Sequence, residues 1–318
     1  MPVSAGQPII AVLAGEDPPG DLGAAEVRLA GDADLASALS GADVLLVWDF
    51  LSHAVPAAWR AADTSRVRWV HTASAGVDKV TFPELRAHPA EITNARGVFD
   101  RPIAEFVAGV VLAFAKDLPG SLRLQGRGEW RHRETTSVAG RTAVVVGSGP
   151  IGRAVADMLR AIGLSVSLVG RRAADGVHAF DELPALLPGA DWLILAAPLT
   201  DATRGMLDKA ALDLLPDSAR VVNVGRGGLV VEPDLVAALQ EERIAGAALD
   251  VFEVEPLPAD SPLWTMENVI VTPHMSGDLV GWRETLRTQF LENLDRFRAG
   301  EPLHNIVDKS LGYVKGTP

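Results

Sequence analysis

Short apolar runs alternate along this chain with stretches whose apolar positions recur at helical spacing. In the first ninety-odd residues, "PIIAVLAG" (8–15), "ADVLLVW" (42–48) and "RVRWVHTAS" (66–74) read as strands bounded by glycine, proline or charge. Between them "DADLASALSG" (32–41) has helical spacing and a glycine stop. "PIAEFVAGVVLAFAKD" (102–117) predicts a helix, with proline in its first turn where helix starts tolerate it. A looser charged stretch follows, and a more regular series begins at Arg141. "RTAVVVG" (141–147), "LSVSLVG" (164–170), "ADWLILAAP" (190–198), "ARVVNVG" (219–225), "AGAALDVF" (245–252) and "NVIVTPH" (268–274) predict strands. "IGRAVADMLRAIG" (151–163) and "EPDLVAALQEERI" (232–244) predict helices among them, and "GWRETLRTQFLENLDRFRAG" (281–300) predicts an amphipathic one at the end. Continuous Val/Ile/Leu/Ala strands need cover on both faces, so the fold class is α/β with parallel, doubly wound sheets.

Length and charge narrow this picture. A chain of 318 residues exceeds one ordinary core, so two domains are expected. The expected division is a discontinuous substrate-binding domain, 1–97 and 284–318, around a dinucleotide-binding Rossmann domain, 98–283. A net charge of −12 without a concentrated basic face argues against a nucleic-acid partner. Cysteine is absent, which excludes disulfides and thiolate metal sites, and no metal is expected. The longest apolar block, "FVAGVVLAFA" (106–115), is about half the length a bilayer crossing needs, so no membrane span is expected. The first twenty residues lack the basic start of a secretory signal, and a cytoplasmic location is the expectation.

"VVVGSGPIGRAV" places Gly147, Gly149 and Gly152 at G-x-G-x-x-G spacing, directly after a strand and opening a helix with Pro150 and Ile151. In that context the first glycine makes the turn, the second admits a pyrophosphate, and the third lets helix and strand pack. An NAD site usually ends its second strand on an acid that holds the ribose hydroxyls. Here Gly170 stands there, followed by Arg171 and Arg172, whose forked donors suit a 2′-phosphate. NADP(H) is the preferred cofactor on this reading. NAD(H) stays possible, because Asp175 follows a few residues on and the arginines could be a solvated pair.

Three polar residues come after apolar strands: Arg226 after "VVNVG", Glu255 in "LDVFEVEPLP" and His274 in "VIVTPHMSG". Ligands of doubly wound sheets sit beyond the carboxyl ends of the strands, so the three can converge on one cleft. Each alone has a structural explanation. As a cation, an anion and an imidazole at equivalent strand ends, they are chemically complementary, which a purely structural explanation of all three does not account for.

The motifs "TASAGVD" (72–78), "IAEF" (103–106), "VVGSGPIG" (145–152), "NVGRGGLV" (223–230), "ALDVFEVEPLP" (248–258) and "TPHMSG" (272–277) together resemble the D-isomer-specific 2-hydroxyacid dehydrogenases over nearly the whole chain. The resemblance implies two Rossmann-like domains and a catalytic Arg226–Glu255–His274 set. Arg226 would bind the carboxylate of a 2-keto acid and polarise its ketone, His274 would act as acid or base, and Glu255 would favour the charged imidazolium. It also implies that the backbone N–H groups of Ala75 and Gly76 take the substrate carboxylate. Asp250 and backbone near Val224 would hold the nicotinamide carboxamide of the cofactor, and Pro198 would line the cofactor cleft. Trp48, Phe50, Met275 and Trp282 are candidates to line the substrate pocket, although core packing explains them equally.

Within the wider clan, formate dehydrogenases pair their histidine with glutamine where this chain has Glu255, and phosphite dehydrogenases carry a lysine where it has Ala75. The glutamate and the arginine pair resemble the glyoxylate/hydroxypyruvate reductase branch. The expected activity is NADPH-dependent reduction of a small 2-keto acid to the D-2-hydroxy acid. A homodimer built on the 102–117 helix is implied by the same resemblance, and Trp130 matches a position that some members send into the partner subunit. The alternative is a non-enzymatic, dinucleotide-sensing corepressor, which keeps the same three residues. The short stretch after the last helix, without a long tail, weighs toward the reductase.

Overall fold

Strands with two apolar faces need a helix on each side, and the chain meets that demand twice. The computed structural model describes residues 7–23 and 25–314. It divides into a unit comprising residues up to Val98 with those from Leu279 onward, and a contiguous unit Phe99–Asp278. The ends of the expected substrate domain, 1–6 and 315–318, lie outside the described residues.

The first unit holds strands β1 (Ile9–Leu13), β2 (Glu26–Ala30), β3 (Val44–Val47), β4 (Trp69–Thr72) and β5 (Glu91–Asn94). They pair in the order β2-β1-β3-β4-β5, all parallel. Strands β3 and β4 are buried at every position, as continuous apolar runs require. The 66–74 run contributes β4, and ahead of it the side chains of Arg66 and Arg68 reach the carboxylate of Asp43, at 3.1 and 3.5 Å. The two edge strands carry no comparable signal: β2 buries only Ala30 fully, and β5 is four residues long.

The helix Trp282–Ala299 packs within this unit. Phe290 stacks on Trp69, with centroids 4.9 Å apart and planes 15° from parallel. Both rings are sealed from solvent, and aromatic pairs of this kind add about 0.5–1.5 kcal/mol beyond the area they bury.

The second unit carries β6 (Thr142–Val146), β7 (Ser165–Gly170), β8 (Val177–Ala179), β9 (Trp192–Leu195), β10 (Arg220–Asn223), β11 (Gly246–Leu249) and β12 (Val269–Val271). Their order is β12-β11-β10-β9-β6-β7-β8, again wholly parallel. The strand order reverses between β6 and β9, and ligands of such sheets bind at that switch point beyond the carboxyl ends. The block at 106–115 lies in the helix Asp100–Ala115, which packs on the helix Pro150–Ala161. Among the described residues, no helix is long and apolar enough to cross a membrane.

His71 in β4 is fully buried beside the Trp69–Phe290 stack. Trp69 Nε1 donates to Thr93 Oγ1 at 2.7 Å, and Thr93 Oγ1 lies 2.8 Å from His71 Nδ1. The indole can only donate, so Thr93 Oγ1 accepts from Trp69, and its second contact joins it to the neutral imidazole at Nδ1. Nε2 has no hydrogen-bond partner among the described residues. Burial pushes the imidazole down to about 3. The unfolded chain binds this proton near pH 6.5, whereas the native fold resists it until far lower pH. Its contribution to stability is therefore complete above about pH 6.5 and is lost as pH falls, by up to about 1.4 kcal/mol per unit. Melting temperature is expected to drop more steeply between about pH 7 and about pH 5 in the native chain than in His71→Leu. Parallel melting curves for the two would show that His71 does not set the acid limit.

Candidate active site

Strand β6 runs out at Val146, and the chain turns at Gly147 with φ +124°, in the region that glycine alone enters freely. A Cβ on Gly147 would lie 2.5 Å from the Ala196 carbonyl oxygen, and one on Gly152 would lie 1.7 Å from that of Gly147. At Gly149 nothing stands within 4 Å. The first and third glycines are thus required by the protein itself, and the second leaves open space against the backbone. The helix Pro150–Ala161 begins there. Pro150 has no N–H, so Ile151 and Gly152 supply the first donors without intrahelical partners at the positive end of the dipole. Arg171 and Arg172 are exposed immediately after β7, as is Asp175. This loop fits a dinucleotide pyrophosphate.

The arginine that ends the β10 run is held from both sides. Asn223, buried at the strand's last position, donates from Nδ2 to the Arg226 carbonyl at 3.0 Å and accepts from Gly225 N at 3.1 Å. Arg226 Nη1 donates to the Gly225 carbonyl at 2.8 Å. The glycine behind it answers to a neighbour: a Cβ on Gly227 would lie 1.9 Å from the carbonyl carbon and oxygen of Phe252. The turn after β10 therefore rests backbone to backbone on the turn after β11. In that second turn Phe252 N donates to Glu255 Oε1 at 3.0 Å, and His274 Nδ1 donates to Glu255 Oε2 at 2.8 Å. Burial alone would raise the Glu255 carboxyl. The hydrogen bond and charge of His274, the Phe252 N–H and the charge of Arg226 outweigh it and hold the group below the usual carboxylate range. The structure thus gathers Arg226, Glu255 and His274 at the carboxyl ends of adjacent strands.

His274 occupies the left-handed region at φ +53°, an unfavourable place for a residue with a Cβ. Its N–H donates to the carbonyls of Asp250 at 2.8 Å and Thr272 at 3.1 Å. The Asp250 carboxylate, fully buried, takes Thr272 Oγ1 at 2.6 Å and Met275 N at 2.9 Å on Oδ1, and Ser276 N at 2.9 Å on Oδ2. One carboxylate therefore winds the whole loop into the shape that carries the imidazole. Val224 is buried, with its N–H bonded to the Leu195 carbonyl, and Pro198 is exposed after β9.

In the first unit, Ala75 and Gly76 lie in the turn after β4. Their carbonyls are engaged, Ala75 O by Asn94 Nδ2 and Gly76 O by Ser74 Oγ, both at 2.6 Å. Their N–H groups have no acceptor among the described residues. Trp48 is buried, and its indole donates to the Asp17 carbonyl at 2.8 Å. Trp282 is half-buried, edge-on to Phe50 at 6.0 Å and under the Arg283 guanidinium at 4.9 Å. Among the described residues, no group of three or more His, Asp or Glu side chains could hold a metal ion.

Two contributors escape a reading of sequence alone. Asn223 and the loop-binding role of Asp250 depend on partners distant in the chain. The only local sign of the first is an amide ending an otherwise apolar strand, "VVN".

Gly227→Ala is expected to separate the Arg226 turn from the Glu255 turn. It should lower kcat/KM by about 10²-fold or more, since misplacement by an ångström can cost that much. Retention of full turnover in this variant would show that the close backbone approach is dispensable.

Known proteins resemble this chain over most of its length. The family described as "D-isomer specific 2-hydroxyacid dehydrogenase, NAD binding domain" matches residues 108–276. A glyoxylate reductase of Thermococcus gammatolerans is 33% identical over 264 residues, covering 79% of this chain and 79% of its own. A glyoxylate/hydroxypyruvate reductase of Arabidopsis thaliana is 31% identical over 248 residues, covering 76% of this chain and 79% of its own. A D-isomer specific 2-hydroxyacid dehydrogenase from Xanthobacter autotrophicus, solved with NADPH and MES, superposes with a TM-score of 0.79 at 34% identity, covering 96% of this chain and 100% of its own. An NADPH-dependent glyoxylate/hydroxypyruvate reductase from Sinorhizobium meliloti, solved with NADP and sulfate, gives 0.80 at 28%, covering 96% and 99%. The chain belongs to the D-isomer specific 2-hydroxyacid dehydrogenase family.

Proposed function

We propose that this protein reduces a small 2-keto acid to the D-2-hydroxy acid with NADPH, His274 serving as the acid. The observation that carries the reading is the 2.8 Å Glu255–His274 pair, with the charge of Arg226 acting on the same carboxylate. Gly147, Gly149, Pro150, Ile151 and Gly152 would hold the pyrophosphate, Arg171 and Arg172 the 2′-phosphate, and Val224 and Asp250 the nicotinamide carboxamide, with Pro198 lining the cofactor cleft. A bound reduced nicotinamide supplies hydride to the keto carbon. Nδ1 of His274 is committed to Glu255, so Nε2 is the atom that protonates the developing alkoxide and takes that proton back in the oxidative direction. Ionised Glu255 accepts from Nδ1 and holds the ring in place for the transfer. Arg226 binds carboxylate and ketone oxygens, for which its planar fork is suited. The N–H groups of Ala75 and Gly76 are assigned to the substrate carboxylate.

The cofactors in the solved structures of similar reductases support NADP(H) as the preferred partner, with NAD(H) as the weaker one. The reductase names among the relatives favour catalysis over a corepressor role. We also assign a homodimer. Trp130 stands fully exposed on the irregular segment 129–138, beside a helix that exposes Leu118 and Leu122, and an exposed apolar surface of this kind suits a second copy. The lack of cysteine suits a reducing compartment, and the cytoplasm is the assigned location.

The first test is NADPH consumption with glyoxylate, hydroxypyruvate and phenylpyruvate. Oxidation with at least one is expected, and tight NADPH binding with turnover of none would favour the sensor. His274→Ala should lower kcat by about 10³-fold with NADPH affinity nearly unchanged, since a positioned acid contributes on that order. A variant that keeps near-full turnover removes the acid role. Arg171→Ala combined with Arg172→Ala should cut the NADPH-over-NADH preference at least about tenfold, because each forked contact to phosphate is charge-assisted. An unchanged ratio would make both arginines ordinary surface charges.

A further inference from the structure

Gly170, at the end of β7, stands where an NAD-type site carries its ribose-binding acid. Its φ is not in the left-handed region, so the backbone there does not itself call for glycine. Space does. A Cβ on Gly170 would lie 2.4 Å from Ser148 Oγ, 3.0 Å from Ser148 Cβ and 2.9 Å from Val177 Cγ1. Turning the serine hydroxyl away relieves only the first of these contacts. The Ser148 Cβ is fixed with its backbone, because Gly147 N donates to the Val169 carbonyl at 2.8 Å and ties the glycine turn to β7. The Val177 contact is with a methyl at the end of a side chain on β8, which a small shift relieves once Ser148 is gone. The Ser148 hydroxyl makes no hydrogen bond among the described residues. Its donor therefore remains available at the head of the Gly170–Arg171–Arg172 run.

We propose that Ser148, between the first two glycines of the phosphate loop, is a cofactor-specificity residue: it fills the volume an acid at position 170 would need, and its hydroxyl donates to the 2′-phosphate beside Arg171 and Arg172. This rests on the NADP(H) reading above. On this account discrimination is steric as well as electrostatic. Restoring the acid alone does not convert the site, because the carboxylate cannot take its place until Ser148 yields.

Two measurements decide the matter, one of them made without cofactor. In melting experiments on the apo protein, Gly170→Ala should lower Tm in the native background and lower it clearly less in a Ser148→Gly background. Equal losses overturn the steric claim. In fluorescence titrations, Gly170→Asp alone should gain no NADH affinity, whereas Ser148→Gly with Gly170→Asp should bind NADH about tenfold more tightly than that single variant, a difference of about 1.4 kcal/mol. If Gly170→Asp alone gains as much, Ser148 is not the determinant. If Gly170→Asp does not fold, the Gly170→Ala melts still decide the steric claim. Ser148→Ala should weaken NADPH several-fold and leave NADH unchanged, and equal effects on both overturn the hydroxyl's role. A native chain that binds the two cofactors equally would refute the NADP(H) reading while leaving the melting result to stand by itself.

Discussion

A single buried carboxylate organises the carboxyl end of the second sheet. Asp250 accepts two main-chain N–H groups and one hydroxyl from the loop after β12, and its carbonyl takes the N–H of His274. An ion sealed from water is costly unless its hydrogen bonds are met. Here the donors all come from five consecutive residues, so the carboxylate can be satisfied only if that loop adopts one shape. That shape sets His274 in a backbone conformation its side chain disfavours, and in it Nδ1 meets Glu255. The strain at the imidazole and the satisfaction of the aspartate are two sides of one arrangement.

Close backbone approach does the comparable work for the arginine. Gly227 lets the turn after β10 lie against Phe252, whose N–H fixes Glu255. The glycines of the nucleotide loop act in the same way, with Gly152 seated on Gly147 and Gly147 on Ala196. At these strand ends glycine serves to bring main chains together. The order of the strands then gathers those ends around the switch point between β6 and β9.

The central strands were legible in the sequence because burial on both faces writes itself as unbroken Val, Ile, Leu and Ala. Arg226, Glu255 and His274 were legible because charge directly after such a run is conspicuous. Edge strands left no such mark: in β2 four of five positions are at least partly exposed, so composition there resembles a loop. Long-range polar partners were equally silent. Nothing near Asp250 announces Thr272, Met275 and Ser276, and nothing near Gly170 announces Ser148. Those relations arise when separate strand ends meet, which local periodicity does not encode. The buried imidazole of His71 looks like any polar residue in a strand until the helix Trp282–Ala299 is laid across it.

That last helix has a consequence for how the protein is made. The unit Phe99–Asp278 is contiguous and is wholly synthesised before Phe290 exists. The first sheet is begun earliest, yet its Trp69 face waits for a ring supplied near the other end of the polypeptide. During translation the rings of Trp69 and His71 therefore wait for their Phe290 cover across the entire synthesis of the middle unit.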